Sequence, residues 1–200
     1  MQRQIIVEHS NPVRVATKPV LARYLLKNSL EGPEGIKLSI NEFSHYLKNN
    51  HWHNIYYSQL SHNTNTYGAS VRQHLLNTVA SGYDYILHLD DDNLIFPEFL
   101  EAHVNALEEN PDCGFSVCKI IHLGPLPSHL APAPAIISGI PPVYRNIDTL
   151  QIVVRSKAMK ECGWVEKTGI DGYCNDGYTY DKLGKMFKWV EIPKLLGVHI

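Results

Sequence analysis

Residues 85–93 read YILHLDDDN, three consecutive carboxylates directly behind a run with the composition of a buried strand. Like charges side by side repel, so Asp90, Asp91 and Asp92 call for a positive partner. A hard divalent cation such as Mn²⁺ or Mg²⁺ takes oxygen ligands. It is commonly held by one or two carboxylates together with the phosphates of a substrate. If the pleat of the strand continues, Asp90 and Asp92 share one side and Asp91 points elsewhere. The plainer alternative is an acidic turn in which Asp92 or Asn93 caps a helix starting near Pro97. A calcium loop counted from Asp90 fails, because Leu94 and Ile95 take its fifth position and its obligatory glycine and Pro97 intervenes. His51 and His53 form an H-x-H pair, but no third and fourth ligands follow at zinc-site spacing.

The elements that must carry the triplet alternate. Gln4–His9 reads as a first buried strand. Pro19 opens a helix that Gly32 stops. Strands follow over 35–40 and 54–60, with a short helix between them. The stretch 71–83 reads as a helix with Val71, Leu75, Leu76 and Val79 on its apolar side. YDYILHL is then the strand that delivers the triplet. A helix from Pro97 has Phe99, Leu100, Val104 and Leu107 as its apolar face, and CGFSVCKII is a further strand. The proline-rich stretch 123–142 reads as an irregular excursion. A strand entering a short helix (148–163), a Gly/Asp/Tyr-rich loop, a helix from Thr179 and a last strand, KWVEI, complete the chain. Strands alternating with helices predict an α/β domain with a mostly parallel central sheet. In open sheets of this kind ligands sit beyond the carboxyl ends of the strands, where the triplet stands.

Bulk composition narrows the function. With 200 residues, 44% hydrophobic and 19% charged, the chain can bury a core without disulfides or metal. Eighteen basic and 20 acidic residues give a net charge of −2, which provides no broad basic surface for nucleic acid and no polybasic membrane anchor. Cys113, Cys118, Cys162 and Cys174 form no C-x-x-C pair, as expected of a reduced protein. No window approaches a transmembrane span, and the start has no signal-peptide core, so the expected location is cytoplasmic, with at most peripheral membrane association. The abrupt end after LLGVHI suggests a single domain, 1–200, cut from a longer protein.

The block Asn65-x-x-Gly68, Arg72, Ala80-x-Gly82-Tyr83-Asp84-Tyr85-Ile86, Leu89 to Asn93 and Pro97-x-Phe99-Leu100 resembles the nucleotide-sugar half of GT-A glycosyltransferases, nearest the inverting family 2 group. The resemblance is good over 54–120 and fair over 148–199. It implies a Rossmann-like nucleotide-diphospho-sugar transferase domain, with residues 1–120 binding the donor and 121–200 holding the acceptor and the catalytic base. It implies further that the triplet is the D-x-D motif, with Asp92 the metal ligand and Asp90 or Asp91 reaching the ribose or the metal. The same resemblance implies that Arg72 and the backbone at Gly68 lie near the donor diphosphate, that Asp176 is the catalytic base and that His199 completes the metal site. It also implies that Glu8, His9 and Ser10 end the first strand where the base would rest. Asn41 stands where the group usually carries an acidic pair, and the usual first-strand phrase is replaced by IIVEHSNPVR.

The expected reaction is transfer of a sugar, a hexose in the first instance, from a nucleotide-diphosphate donor to an acceptor hydroxyl, with inversion and with Mn²⁺ or Mg²⁺ as cofactor. UDP-sugars are the favoured donors, and a glycan, glycoprotein or glycolipid is the acceptor. Two other classes stand beside it. One is a non-catalytic nucleotide-sugar or glycan-binding domain, which the presence of Asp176 disfavours. The other is a metal-dependent nucleotidyltransferase, which the glycine-free segment EHSNPVRVATK disfavours. Tyr173, Tyr178, Tyr180 and Trp164 are candidates to stack on a sugar, with core packing the ordinary role of such residues.

Overall fold

A computed structural model describes residues 5–8 (as backbone), 66, 68–78, 80–90, 93–123 and 135–200. All of them belong to one compact unit, Met1–Ser10 with Asn63–Ile200. The elements expected over 19–60, the H-x-H pair, and the site candidates His9, Ser10, Asn41, Asp91 and Asp92 lie outside the described residues.

In chain order the strands are β1 (Ile5–Glu8), β2 (Tyr85–His88), β3 (Asn93–Ile95), β4 (Cys113–His122), β5 (Ala135–Ile137), β6 (Ile152–Arg155) and β7 (Lys188–His199). The helices are α1 (Ala69–Thr78), α2 (Phe99–Glu109), α3 (Ser156–Cys162) and α4 (Asn175–Met186). The strands form one sheet in the order β1-β2-β6-β4-β7-β3, with β5 on β4.

The sheet is mixed, which corrects the mostly parallel expectation. β1 pairs parallel with β2, and β4 with β7. β6 enters antiparallel between β2 and β4, while β3 and β5 run antiparallel to β7 and β4. The reason is local. The chain reaches β6 from a turn at Thr149–Gln151 at the same end at which β4 finishes, so the apolar run Ile152–Val154 fills the central slot in the reverse direction. β1, β2, β4 and β7 nevertheless share one direction, so the rule that ligands gather at the carboxyl edge still applies to them. That edge collects the backbone of Glu8 and the residues Asp90, His122 and His199. The opposed strands β3 and β6 begin there, at Asn93 and Ile152.

Both sheet faces are covered, and the period-2 pleat sorts the residues between them. Ile86, Phe115, Val117, Ile152 and Val154 meet Leu76, Met159, Trp164, Tyr180 and Leu183 on one face. Tyr85, Leu87, Cys118, Ile120 and Val153 meet Phe99, Val104, Leu107 and Leu196 on the other. Each fully buried large apolar side chain contributes about 1.5–3 kcal/mol. The apolar face of α2 holds as expected and also buries His103. Its Nδ1 lies 2.8 Å from the Ser116 hydroxyl, and burial lowers its pKa to about 3, so the ring is neutral.

Three other expectations change. α1 buries Ala69, Arg72 and Leu76 in place of an all-apolar side, so a cation lies on its inner face. The excursion 123–142 contains β5, held antiparallel by Ile120–His122. The loop before the last helix is shorter than expected, since α4 begins at Asn175. Finally, β3 sits hard against β7. A side chain at Gly197 would put a Cβ 2.9 Å from the Leu94 carbonyl and from Leu150 Cδ2, so glycine there allows the two strands to meet.

Candidate active site

At the carboxyl edge β2 runs out as His88-Leu89-Asp90. His88 is fully buried, with its Nδ1 3.0 Å from the Tyr180 hydroxyl and its ring edge-on to Trp164 at 4.7 Å. This pins the last residue of the strand before the chain turns. The turn closes where the Asn93 N–H donates to the Asp90 carbonyl at 3.2 Å, and β3 begins at once.

Arg72 arrives from α1. The preceding Gly68 has φ of 88°, a left-handed conformation that glycine adopts without strain, and its carbonyl accepts the Arg72 N–H at 3.0 Å. The guanidinium lies over the Trp164 ring, 5.0 Å from its centroid, and its Nη2 donates to Asp90 Oδ1. Arg72 is 95% buried by relative exposure of 5%, and its Nε has no hydrogen-bond partner among the described residues. The Arg72–Asp90 pair therefore puts a buried, fixed positive charge beside the end of β2. Arg72, expected near the donor diphosphate, is thus brought into contact with Asp90, expected at the ribose or the metal.

Asp176 stands in the first turn of α4, not in a loop, and its Oδ2 accepts from Thr149 Oγ1 at 3.3 Å. Its carboxyl is pushed above the ordinary range, first by burial. The Gly177 N–H pulls it back down, Asp148 raises it, Arg72 lowers it and Asp90 raises it again. A raised carboxylate is a better proton acceptor when the acceptor is a hydroxyl. The mutual influence of Asp176, Asp148, Arg72 and Asp90 places them in one electrostatic neighbourhood.

His199, the last residue of β7, is half-buried and holds its Nδ1 3.0 Å from Asp148 Oδ2. Its ring stacks on His122, the last residue of β4, with centroids 4.3 Å apart and planes within 16°. Both strand ends are tied, since His122 and His199 are register partners and the Leu123 N–H donates to the His199 carbonyl at 2.8 Å. His199 is also the register partner of Asn93, the residue after the triplet.

Sequence reasoning missed Asp148, Thr149 and His122. Asp148 carried a readable signal: D-x-x-Q is a capping-box pattern, and here Asp148 Oδ1 accepts the Leu150 N–H at 2.8 Å while Gln151 Oε1 accepts the Asp148 N–H at 2.9 Å. His122 gave no such signal, being one of 11 histidines. Of the aromatic candidates, Trp164 and Tyr180 are core residues beneath Arg72 and His88. Tyr178 stacks on Tyr144 at 4.4 Å, and Tyr173 is 74% exposed.

His122, Asp148 and His199 each bring one ligand atom to within 4.8 Å of the others, a nitrogen and oxygen donor set that fits a divalent cation. No helix among the described residues is long and apolar enough to cross a membrane.

No sequence family matches the chain, and no curated protein matches it in sequence. Solved structures do. A crystal structure of Staphylococcus aureus TarS, residues 1–349, aligns at TM-score 0.60 and 13% identity over 98% of this chain and 60% of that one. TarS 1–349 in complex with UDP aligns at 0.57 and 14% identity, over 99% of this chain and 60% of that one. TarS 1–349 in complex with UDP-GlcNAc aligns at 0.60 and 13% identity, over 98% and 58%. The chain therefore has a GT-A-like fold, and it spans about three-fifths of the TarS 1–349 chains and 36% of the longer TarS chain it matches.

Proposed function

We propose that the protein is a glycosyltransferase that moves a sugar from a nucleotide-diphosphate donor, UDP-sugars first, to a hydroxyl of a glycan, glycoprotein or glycolipid. The observation that carries this reading is Asp176. A carboxyl raised by burial shares one sheet edge with the Arg72–Asp90 pair, in a fold whose structural neighbour binds UDP and UDP-GlcNAc.

In the proposed reaction the acceptor oxygen forms a bond to the anomeric carbon as the bond from that carbon to the diphosphate oxygen breaks. The acceptor proton passes to Asp176. The diphosphate leaves with the bonding pair, and the positive charge of Arg72 offsets the charge that develops on it. Asp90 orients the guanidinium while the Trp164 ring supports its flat face, so the cation is in place before charge develops. A bound Mn²⁺ or Mg²⁺ would add Lewis-acid stabilisation of the leaving diphosphate. His199, Asp90 and the triplet member Asp92 are its proposed holders. Glu8, His9, Ser10 and Asn41 are the proposed base- and ribose-side residues, and the chain is proposed to act as a single transferase domain.

Base and leaving group on opposite faces of the sugar require inversion. From an α-linked UDP-hexose, proton NMR should therefore show the β product first, whether the acceptor is a sugar hydroxyl or, slowly, water. Release of UDP with the α product first would exclude Asp176 as an opposite-face base. Release from no UDP-hexose would contradict the transferase reading.

A further inference from the structure

We propose that Arg145 and Lys167, each held over a ring of the stacked pair Tyr144–Tyr178, bind an acidic group of the acceptor, so that the acceptor is a saccharide bearing a phosphate or a carboxylate. The inference rests on the transferase reading and names the acceptor class for that same site.

The stack carries a cation over each ring. Tyr144 and Tyr178 lie with centroids 4.4 Å apart and planes within 13°. Lys167 Nζ is 3.5 Å from the centroid of Tyr178, and the Arg145 guanidinium carbon is 5.2 Å from that of Tyr144. With its faces covered in this way, Tyr178 offers a sugar no bare ring, and what the pair presents to solvent is charge. Both cations are exposed, and neither forms an ion pair with a carboxylate among the described residues. Asp181, which lies alongside, is committed to Lys185 and to the Tyr144 N–H. A ring face holds a cation through its quadrupole without neutralising it, so the charge stays available to an incoming anion.

The two neighbours of Asp176 position these groups. Asn175, only 3% exposed, clamps the Lys167 backbone: its Oδ1 accepts the Lys167 N–H and its Nδ2 donates to the Lys167 carbonyl, both at 2.8 Å. On the other side, Gly177 lets Tyr144 close on α4, since a Cβ there would stand 3.0 Å from Tyr144 Cδ2. The same segment runs on from Arg145 to Thr149, whose hydroxyl donates to Asp176. An anion on Arg145 or Lys167 is thereby held beside the carboxyl proposed to take the acceptor proton.

The backbone at Arg145 is a second, independent observation. The Val143 carbonyl accepts the Asn146 N–H at 3.0 Å, closing a turn whose third residue, Arg145, has φ of 71°. That position ordinarily takes glycine or asparagine, and Arg145 is the one non-glycine residue with positive φ among the described residues. A long cation kept in a left-handed conformation points to a use for its guanidinium, whose planar fork matches phosphate and carboxylate.

The test is saturation-transfer NMR of the full chain, without metal, using glucose 6-phosphate, methyl glucuronide and methyl glucoside as probes. At least one acidic probe is expected to bind about tenfold more tightly than methyl glucoside, and to weaken about fivefold or more in Arg145→Gly and in Lys167→Gln. The tighter of the two acidic probes tells a phosphate from a carboxylate acceptor. Glycine relieves the backbone at 145, so Arg145→Gly should melt at the wild-type temperature or above while losing affinity. Lys167→Gln, at an exposed position, repeats the test without touching that turn. Equal binding of the three probes, or an acidic preference that survives in both variants, overturns the proposal. Titration of UDP with Mn²⁺ into the wild type separates the two readings. If UDP binds and the acidic preference is absent, only the acceptor class fails, whereas failure of every nucleotide to bind removes the transferase reading itself.

Discussion

Asp176→Asn is expected to reduce sugar transfer by about 10²–10⁴-fold, the usual worth of a positioned general base, while UDP affinity stays as in the wild type. Asparagine preserves the shape of the side chain and an oxygen for Thr149 Oγ1, which now lies 3.3 Å from the carboxylate, so the first turn of α4 should persist. Stability should move the opposite way to activity. The folded-state pKa is raised, so across the interval between the unfolded and folded values the folded protein binds more protons than the unfolded chain. The contribution of Asp176 to stability is therefore fully present below its unfolded pKa and is lost as pH rises through its folded pKa. At neutral pH the wild type carries that loss and the asparagine variant does not, so the variant should melt at the same temperature or higher. Turnover in the wild type should rise with pH through the same folded pKa. Transfer at near wild-type rate in the variant would remove Asp176 from the mechanism.

Arg72→Met is expected to cost about 3 kcal/mol of stability and to abolish donor binding. Breaking a buried ion pair by removing one partner typically costs about 3–5 kcal/mol, because the other charge remains without compensation. The low end applies because the Asp90 side chain is 25% exposed and that of Arg72 only 6%. Methionine fills part of the volume over Trp164 but carries no donor. Arg72→Lys should restore stability only in part, since an ammonium cannot lie flat on the ring as a guanidinium does. In the double variant Arg72→Met/Asp90→Asn the loss should shrink, for the orphaned carboxylate is gone. Chemical denaturation midpoints of the four proteins measure this directly. A change within about 0.5 kcal/mol for Arg72→Met would mean that the pair is solvated and structurally idle.

How much of this was legible before folding depends on the range of the interaction. The triplet, its strand and the α2 face were readable because they rest on local patterns: a short apolar run, an acidic cluster, and Phe99, Val104 and Leu107 at helical spacing. Arg72 on the inner face of α1 was not readable from periodicity, which would turn a charge outward. Its burial is decided by Asp90 and Trp164, 18 and 92 residues further along the chain. The antiparallel insertion of β6 was equally hidden, since Ile152–Val154 is apolar enough for a central strand in either direction. His122 and Asp148 meet His199 only through the β4–β7 register and the Asp148 cap, two long-range facts with one faint local trace in D-x-x-Q. The resemblance supplied His199 and Asp176 as single positions. The fold adds what surrounds them, Thr149 against Asp176 and Asp148 against His199.

The central claim is that this sheet edge holds a nucleotide diphosphate through a metal and the triplet. Calorimetric titration of UDP, GDP, CMP and TDP, each with and without Mn²⁺, into the wild type and Asp92→Ala tests it most directly. The account predicts that UDP binds, that binding requires Mn²⁺, and that Asp92→Ala loses it. Binding of no nucleotide, or binding indifferent to both the metal and Asp92, would contradict the account and leave Asp90 to Asp92 as an acidic turn.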